Sequence, residues 1–304
     1  MPIRIPNGLP AEERLRDENI FVMNENRASS QEIRPLEIAI LNLMPNKAET
    51  ETQLLRLLSN TPLQANIELV TLDTHKPKNT TEEYLLKFYQ PFSKIRHKKY
   101  DGFIITGAPV ELLDFEEVDY WNELRDIMDW STTNVFSTLH ICWGAQAALY
   151  HHYGINKKML SQKMFGVFPH IVLDKRKMLL RGFDDSFFAP HSRWTTIDES
   201  EIISSPKLEL LATSPIAGAH IVKSKNSKQF FVFGHMEYDA NTLANEYSRD
   251  LGKGEKIEVP YNYFPNDNPQ NKPKKVWRSH ANLLFSNWLN YHVYQETPYV
   301  ISQI

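Results

Sequence analysis

Cysteine, histidine and glutamate residues in two short segments of this chain have the types that covalent acyl chemistry requires. Cys142 is the only cysteine in 304 residues, and it stands between the apolar run TNVFSTLHI and the helical pattern of GAQAALYHHYG. A thiol at a strand-to-helix corner is presented above the sheet, and the positive end of the helix stabilises its thiolate. The N–H of Trp143 would then point at a forming oxyanion, and Gly144 would allow close backbone approach. The corner predicts a cysteine nucleophile, with an inert buried cysteine as the alternative.

A cysteine nucleophile needs a base, and the segment FGHMEYD supplies a pair that could act as one. Alternation along an extended segment sends His235 and Glu237 to one face and Met236 to the other. Histidine can then move the proton while glutamate fixes its tautomer and stabilises the imidazolium. The alternative is a solvated histidine at a strand end. A third segment, Gly107-Ala108-Pro109, is a rigid turn after another apolar run, and its backbone could complete an oxyanion hole.

These residues depend on elements that alternate along the first half of the chain. Near-continuous apolar runs predict buried strands, and apolar residues at helical spacing predict the helices between them. The predicted strands are 36–44, 66–73, 100–107 and 133–141, and the predicted helices are 47–60, 82–92, 121–130 and 144–154. This order predicts an α/β fold with a mostly parallel sheet covered by helices on both faces. Ligands bind such sheets beyond the carboxyl ends of the strands, where Cys142 stands.

The second half has a different pattern, with shorter apolar runs separated by turn signals. These runs predict antiparallel strands added to the sheet, and they are GVFPHIVLD, KMLLRGF, LELLATS, AGAHIVKS and KQFFVFGH. A final helix is predicted over 276–295, preceded by a surface excursion rich in proline and asparagine over 255–275. The polar residues 1–34 predict an N-terminal arm packed on the body, and 35–304 a single catalytic domain.

Composition excludes several classes of function. Thirty-four basic and thirty-seven acidic residues give a formal charge of −3, which provides no electrostatic footprint for nucleic acid or an anionic membrane. There is no secretory signal pattern and no apolar run long enough to span a membrane, so a reducing cytoplasm and small-molecule partners are expected. The pair His151-His152 is more typical of a surface feature than of a metal site, and no metal or cofactor is expected. The terminal helix or the arm could each serve a homodimer.

The long runs MPIRIPNGLPAEERLRDENIFVM, TGAPVE, HICWGAQAALY, RGFDDSFFAPHSR and FGHMEYD resemble the homoserine O-acyltransferases of methionine biosynthesis. The resemblance covers essentially the whole chain and implies a fold like that of class I glutamine amidotransferases, which is flavodoxin-like. It implies that Cys142 accepts the acyl group, with His235 as the general acid and base and Glu237 as its partner. His140 departs from the small residue usual two places before such a nucleophile.

The same resemblance implies contacts with the substrates acetyl-CoA and L-homoserine, the first acting as a co-substrate rather than a cofactor. The implied homoserine contacts are Lys163 in SQKMFG, Ser192 in FAPHSR and Arg249 in NEYSRDL. A planar guanidinium such as that of Arg249 could hold the α-carboxylate bidentately. Lys47 in MPNKAE is implied to lie near the site. Solvated surface cations and a capping serine are the alternatives for these residues.

The resemblance also points to position 111 as the residue that selects the acyl donor, glycine accompanying succinyl transfer and glutamate accompanying acetyl transfer. This chain has Glu111. A carboxylate in the acyl pocket fills space and repels the distal carboxylate of a succinyl group, so an acetyltransferase is the prediction. Three alternatives stay open from the residues: a homoserine O-succinyltransferase, a glutaminase-like cysteine hydrolase, and a non-catalytic binding module with an inert cysteine.

Overall fold

The structure, a computed structural model, describes residues 3–18, 34–77, 79–298 and 300–304. Within these residues one sheet of 11 strands forms the centre of the molecule. The strands are β1 (Ile3–Arg4), β2 (Leu36–Leu41), β3 (Ala65–Thr71), β4 (Tyr89–Pro91), β5 (Tyr100–Ile105), β6 (Val135–Ile141), β7 (Lys157–Val172), β8 (Ser186–Ile197), β9 (Leu208–Ser214), β10 (Gly218–Ser224) and β11 (Gln229–Val232). The helices are α1 (Pro10–Asp17), α2 (Lys47–Leu58), α3 (Glu82–Phe88), α4 (Phe92–Ile95), α5 (Trp121–Asn134), α6 (Trp143–Tyr153), α7 (Glu199–Ser204), α8 (Thr242–Gly252) and α9 (Arg278–Asn287). A π-helical turn, Trp288–Tyr294, continues α9.

The sheet has a parallel half and an antiparallel half. Its strand order is β1-β3-β2-β5-β6-β11-β10-β9-β7-β8, and β4 pairs with β3. Neighbours from β1 to β11 pair in parallel, as does β4 with β3. The pairs from β11 to β8 are antiparallel. The predicted fold class, a mostly parallel sheet with antiparallel strands in the C-terminal half, is confirmed.

Alternating side chains of the central strands enter two separate hydrophobic clusters, one on each face of the sheet. In β2, Ile38 and Ile40 join one cluster, while Ala39 and Leu41 join the other. Helices α2 and α9 cover the first face, and α5 and α6 cover the second. Both faces are therefore shielded from water, as nearly continuous apolar strands require. Each fully buried leucine or isoleucine contributes roughly 1.5–3 kcal/mol relative to exposure.

The last strand of the sheet has a pairing that the sequence prediction missed. KQFFVFGH was expected to be an antiparallel addition, yet β11 inserts between β6 and β10 and runs parallel to β6, with Phe231 opposite His140. The carboxyl ends of parallel strands lie at the same edge of a sheet. This pairing therefore carries the segment after β11 to the edge at which β6 ends.

Two other predictions in the C-terminal half were wrong. KMLLRGF, expected to be a strand, contains a short 3-10 helix at Met178–Leu180. Strand β8 was not predicted, because Pro190 interrupts its apolar pattern. Proline is tolerated on an edge strand, where its missing N–H breaks no ladder bond, and β8 stands at the end of the strand order.

The described part of the N-terminal arm lies against the parallel half of the sheet. Strand β1 pairs with β3, and Leu9 before α1 is buried, as are Ala11 and Leu15 within it. Residues 19–33 of the predicted arm lie outside the described residues, so its extent and the domain boundary stay predictions. No helix in the described ranges is both long enough and apolar enough to cross a bilayer.

Candidate active site

Cys142 occupies a strained corner between β6 and α6. Its φ of 51° and ψ of −117° lie in a region that non-glycine residues rarely adopt, at a cost of about 1–3 kcal/mol. The N–H of Cys142 donates to the carbonyl of Val232 at 2.7 Å, which ties the corner to β11. The strain is maintained by the surrounding sheet, and it holds the thiol where the strand ends and the helix begins.

Two glycines allow the backbone to approach this corner closely. A Cβ added to Gly144 would lie 2.6 Å from the carbonyl oxygen of Thr106 and 3.1 Å from that of Ile105. A Cβ on Gly107 would lie 3.2 Å from the Cβ of Cys142. The first turn of α6 therefore rests directly on the end of β5. Trp143 begins α6, a position at which the N–H has no partner within the helix.

Gly144→Ala is expected to destabilise the protein by about 1–3 kcal/mol, because its Cβ meets rigid backbone rather than a flexible side chain. Urea unfolding, with the midpoint compared between variant and wild type, measures this change. Gly252→Ala is the matched control, since a Cβ there meets nothing within 4 Å. Equal stability of the two variants would contradict the close contact between α6 and β5.

The turn after β11 places His235 and Glu237 beside the thiol. Nδ1 of His235 lies 2.7 Å from Oε1 of Glu237, and the two residues are only 3% and 5% exposed. The N–H of His235 donates to the carbonyl of Pro190 at 2.8 Å, and the ring stacks on Tyr238 with centroids 4.2 Å apart. The backbone of His235 is thus held by Pro190, and its imidazole by Glu237 and Tyr238.

The charge state of His235 follows from these neighbours. Burial by itself lowers the pKa of His235, but the charges of Cys142 and Glu237, with hydrogen bonds to both, raise it well above its usual value. A protonated imidazole beside Cys142 and Glu237 is therefore favoured. The geometry brings together the thiol, the base and the orienting carboxylate that the sequence analysis selected.

The triad opens into a cavity of about 280 Å³. Besides Cys142 and His235, the predicted site residues that line it are Glu111, Lys163, Ser192 and Arg249. Gly107, Ala108 and Pro109 form one wall next to the thiol. Residues from seven separate segments meet in this cavity, which makes it the candidate site for both substrates.

Glu111 lies in the cavity and is half-buried, so the alternative of a solvated Glu111 in the acidic run is wrong. Its Oε2 is 3.5 Å from the hydroxyl of Thr195, and the N–H of Trp194 donates to the carboxylate. Burial raises the pKa of Glu111. The N–H of Trp194 and the positive charges of Lys163 and Arg193 act in the opposite direction. The N–H and the two cations thus offset part of the cost of burying the carboxylate charge.

Charged groups of both signs line the opposite wall. Lys163 reaches the site from a bulged part of β7, and its Nζ lies 3.1 Å from Oδ2 of Asp250. Arg249 donates to the other oxygen of Asp250 at 2.7 Å, and its side chain is 55% exposed at the rim. The hydroxyl of Ser192 donates to Oε2 of Glu246 at 2.5 Å.

Sequence reasoning missed the two carboxylates of this wall, Glu246 and Asp250. Together with Arg249 they stand three and four residues apart on α8, so they share one face of the helix. That spacing, directly after FGHMEYD, was the signal that could have found them. Hydrogen bonds from Tyr238 and Ser192 leave the Glu246 carboxylate fixed at the cavity surface.

Lys47 is not brought to this cavity. Its Nζ donates to the backbone carbonyl of Asn42, and it lies beside Glu51 and 5.2 Å from the ring centre of Tyr89. Burial lowers the pKa of Lys47 to about 8, and the negative charge of Glu51 opposes this shift. The structure gives Lys47 a place at the base of α2, close to the cavity wall at Pro45 but not lining it.

His140 finds an explanation in packing. It is fully buried in β6 and stacks on Phe231 of β11 with ring centroids 5.2 Å apart. Burial holds the pKa of His140 well below its usual value, so the ring is neutral. It therefore serves as a flat aromatic surface between the two strands that bring Cys142 and His235 together.

Two clusters among the described residues have enough nitrogen and oxygen ligands for a metal ion. One is exposed at Asp129, His151 and His152, and the other is buried at His170, His191 and His220. In the buried cluster, Nε of Arg193 donates to Nδ1 of His191, whose Nε2 is 3.0 Å from Nε2 of His170. An arginine can only donate, so His191 carries its proton on Nε2 and donates it to His170. His191 and His170 thus already serve each other as hydrogen-bond partners, while both nitrogens of His220 are buried without one.

Comparison with known proteins gives one family for the whole chain. A family model described as homoserine O-succinyltransferase matches residues 2–299. A homoserine O-acetyltransferase of Acetivibrio thermocellus is 60% identical over 304 residues, covering 100% of both chains. A homoserine O-acetyltransferase of Lysinibacillus sphaericus is 60% identical over 299 residues, covering 98% of this chain and 96% of its own.

Solved structures with the same fold are much more distant in sequence. A glutamine amidotransferase from Thermotoga maritima has a TM-score of 0.52 at 14% identity, covering 84% of this chain and 98% of its own. One from Methylobacillus flagellatus has a TM-score of 0.54 at 11% identity, covering 88% and 98%. At such identities the likeness concerns the fold alone, and it confirms the expected glutamine amidotransferase-like architecture.

Proposed function

Since this chain belongs to the homoserine acyltransferase family, we propose that it transfers an acetyl group from acetyl-CoA to the side-chain hydroxyl of L-homoserine, giving O-acetyl-L-homoserine and CoA for methionine biosynthesis. The observation that carries the proposal is the meeting of Cys142 and His235 in one cavity with Glu111, with Glu237 bound to Nδ1 of His235 behind it. The thiol and its base account for acyl transfer, and the carboxylate accounts for the choice of a small, uncharged acyl group. Its relatives named homoserine O-acetyltransferase support the same choice.

In the first half-reaction the Cys142 thiolate attacks the thioester carbonyl of acetyl-CoA. A carbon–sulfur bond forms to Cys142, and the carbonyl oxygen becomes an oxyanion facing the N–H of Trp143 and the backbone of Gly107-Ala108. Collapse breaks the bond to the CoA sulfur, which takes a proton from the His235 imidazolium. The result is an acetyl-enzyme with a neutral His235.

In the second half-reaction L-homoserine takes the place of CoA. Neutral His235 removes the proton from the substrate hydroxyl, and the oxygen attacks the acetyl-enzyme carbonyl. The oxyanion again faces the same N–H groups, and its collapse expels the Cys142 thiolate. O-acetyl-L-homoserine leaves, and the imidazolium and thiolate are restored. Glu237 holds the tautomer and stabilises the imidazolium in both halves.

The charged wall of the cavity suits a zwitterionic amino acid. Lys163 and Arg249 offer positive charge to the α-carboxylate, and Glu246 and Asp250 offer negative charge to the α-ammonium group. Ser192, bound to Glu246, lies between them and can orient the substrate. In the free protein these charges neutralise one another, so bound homoserine would exchange internal ion pairs for its own.

The remaining features of the proposal follow from the chemistry of the site. Acetyl-CoA acts as a co-substrate, and the steps use no metal or bound cofactor. A reducing cytoplasm keeps the single cysteine as a thiol. A homodimer formed through the terminal helix or the N-terminal arm is proposed for the assembly.

Incubation with acetyl-CoA, followed by intact mass measurement, tests the proposed chemistry. We expect one added acetyl group on the wild type and none on Cys142→Ser after a brief incubation, because serine lacks the thiolate nucleophile. Addition of L-homoserine is expected to discharge the acetyl-enzyme and release O-acetyl-L-homoserine. L-serine, shorter by one methylene, and L-glutamine serve as control acceptors.

Three results would contradict the proposal. No adduct on folded wild type would favour a non-catalytic binding module. Ammonia released from glutamine without acyl-CoA would favour a cysteine hydrolase. A larger kcat/KM with succinyl-CoA than with acetyl-CoA would make the protein a homoserine O-succinyltransferase, in agreement with the description of the matching family model.

A further inference from the structure

Arg193 is a buried cation directly behind the candidate active site. It is 1% exposed and stands on β8 between Ser192 and Trp194, both of which line the cavity. Alternation along the strand turns Arg193 away from the face of Ser192 and Trp194. The carbonyl of Thr195 accepts from Arg193 and also from Gln146 of α6, the helix that begins at Trp143. The guanidinium is therefore close to the reactive corner without reaching the cavity surface.

The hydrogen bonds of Arg193 in the described part of the chain go to neutral acceptors. Nη1 donates to the carbonyl of Thr195 at 2.5 Å, and Nη2 donates to the carbonyl of Ala217 at 2.6 Å. Nε donates to Nδ1 of His191 at 3.3 Å. None of these acceptors carries a negative charge. A buried cation without an anion is costly, so the fold must compensate this charge from further away.

Two groups near Arg193 can compensate its positive charge, namely Cys142 and Glu111. Burial lowers the pKa of Arg193 to about 10. The negative charges of Cys142 and Glu111 act in the opposite direction. The three buried histidines beside it are His170, His191 and His220. Burial lowers the pKa of each, to about 3 for His170 and well below the usual value for the others, so none adds charge at neutral pH.

This buried layer also touches the segment that carries the base. A Cβ on Gly234 would lie 2.7 Å from Cε1 of His220 and 3.0 Å from Nε2 of His191. His235 follows at once and donates its N–H to Pro190 on β8. The Arg193 guanidinium, the base and the thiol thus belong to one rigid assembly.

We propose that Arg193 is a positioning residue that acts through Cys142 and holds its sulfur in the thiolate form from which it attacks. The proposal rests on the proposed role of Cys142 as the nucleophile. His235 loses its positive charge when it gives its proton to CoA and regains it only when it takes the proton of the homoserine hydroxyl. Arg193 stays charged throughout, so it also stabilises the thiolate as the leaving group of the second half-reaction.

Several charged groups face Cys142 from the elements packed around it, and the test must separate Arg193 from the rest. They are His235 and Glu237 after β11, Glu111 after β5, Lys163 on β7, Arg193 on β8 and the amino end of α6. Only substitution at Arg193 changes the charge behind the thiol while leaving the cavity lining intact.

Alkylation of Cys142 by iodoacetamide, followed by intact mass across a pH series, reports the thiolate directly because the chain has one cysteine. In Arg193→Gln and Arg193→Met we expect the midpoint of the pH profile to rise by at least about one pH unit, since a nearby opposite charge is lost. In Arg193→Lys, which keeps the charge but not the three hydrogen bonds, the midpoint is expected within about half a pH unit of wild type.

His220→Phe is the matched control, because it disturbs the same buried layer without removing a charge. Its midpoint is expected to equal that of wild type. A rise in His220→Phe equal to that in Arg193→Gln would assign the effect to packing and overturn the proposal. An unchanged midpoint in folded Arg193→Gln or Arg193→Met would overturn it as well.

A second measurement needs no substitution at Arg193, in case the neutral variants fail to fold. In His235→Asn the guanidinium remains while the imidazolium is lost, and we expect the alkylation midpoint to stay below the free-cysteine value of about 8.5. A midpoint at or above that value would overturn the proposal, because Arg193 would then not hold the sulfur as a thiolate once the imidazolium is lost. Alkylation does not depend on acyl transfer, so failure of the proposed function would leave this result readable.

Discussion

Replacement of Cys142 by alanine is expected to lower kcat/KM for acetyl transfer to homoserine by at least about 10⁴-fold, with no acetyl-enzyme detectable by mass. The nucleophile is the one group that the other site residues cannot replace, since His235 and Glu237 act only through it. Release of CoA measured with a thiol reagent gives the rate. Activity within tenfold of wild type would contradict a covalent route through Cys142.

The strained backbone at Cys142 provides a control for this variant. At φ 51° glycine avoids the strain that alanine keeps, which favours it by about 1–3 kcal/mol, while its greater freedom in the unfolded chain costs about 0.4–1 kcal/mol. Cys142→Gly is therefore expected to be more stable than Cys142→Ala by about 1 kcal/mol and equally inactive. Urea unfolding of the pair separates loss of the thiol from loss of the fold.

Glu111→Gly is expected to raise the ratio of kcat/KM for succinyl-CoA to that for acetyl-CoA by about 10²–10³-fold. Two like charges about 4 Å apart at an effective dielectric constant of about 20 repel by about 4 kcal/mol, which corresponds to roughly three powers of ten. Glycine removes this repulsion and opens space beside Thr195. It also leaves the positive charges of Lys163 and Arg193 without the carboxylate that they now face.

Glu111→Gln separates charge from volume in this experiment, because glutamine fills the pocket without repelling a carboxylate. We expect it to recover part of the preference for succinyl-CoA. Glu116→Gly, an exposed position in the same acidic run, is expected to leave the donor ratio unchanged. The same donor ratio in wild type and Glu111→Gly would refute the pocket role of Glu111.

Part of the candidate site could be predicted because its signal is local. The strand-to-helix corner at Cys142 and the alternation of His235 and Glu237 are both properties of short segments. The corner requires an apolar run, a nucleophile and a glycine in that order. The glycine is required because a larger residue at position 144 would collide with the end of β5. Glu246 and Asp250 were missed because their part in the site depends on contact with Lys163, which lies on β7 and is distant in the sequence.

Local sequence patterns do not predict which distant strands pair with one another. The run before His235 was correctly taken as a strand, but its direction relative to β6 depends on which neighbours accept it. Parallel insertion of β11 beside β6 puts both carboxyl ends at one edge and so brings the base to the thiol. An added antiparallel edge strand would have left His235 without this neighbour. The direction of the Lys47 side chain, toward Asn42 and Glu51 and close to the cavity wall, likewise depends on the fold.

The sequence by itself determined the α/β class, the reactive corner and the pair that could serve it, because hydrophobic period, glycine placement and residue chemistry are written along the chain. Tertiary structure alone decided that the two segments meet, that Glu111 faces the cavity, and that Arg193 lies behind the thiol with only neutral hydrogen-bond acceptors. The reason is physical: a charge acts across space through low-dielectric protein, and the fold brings together residues whose separation along the chain says nothing of their distance.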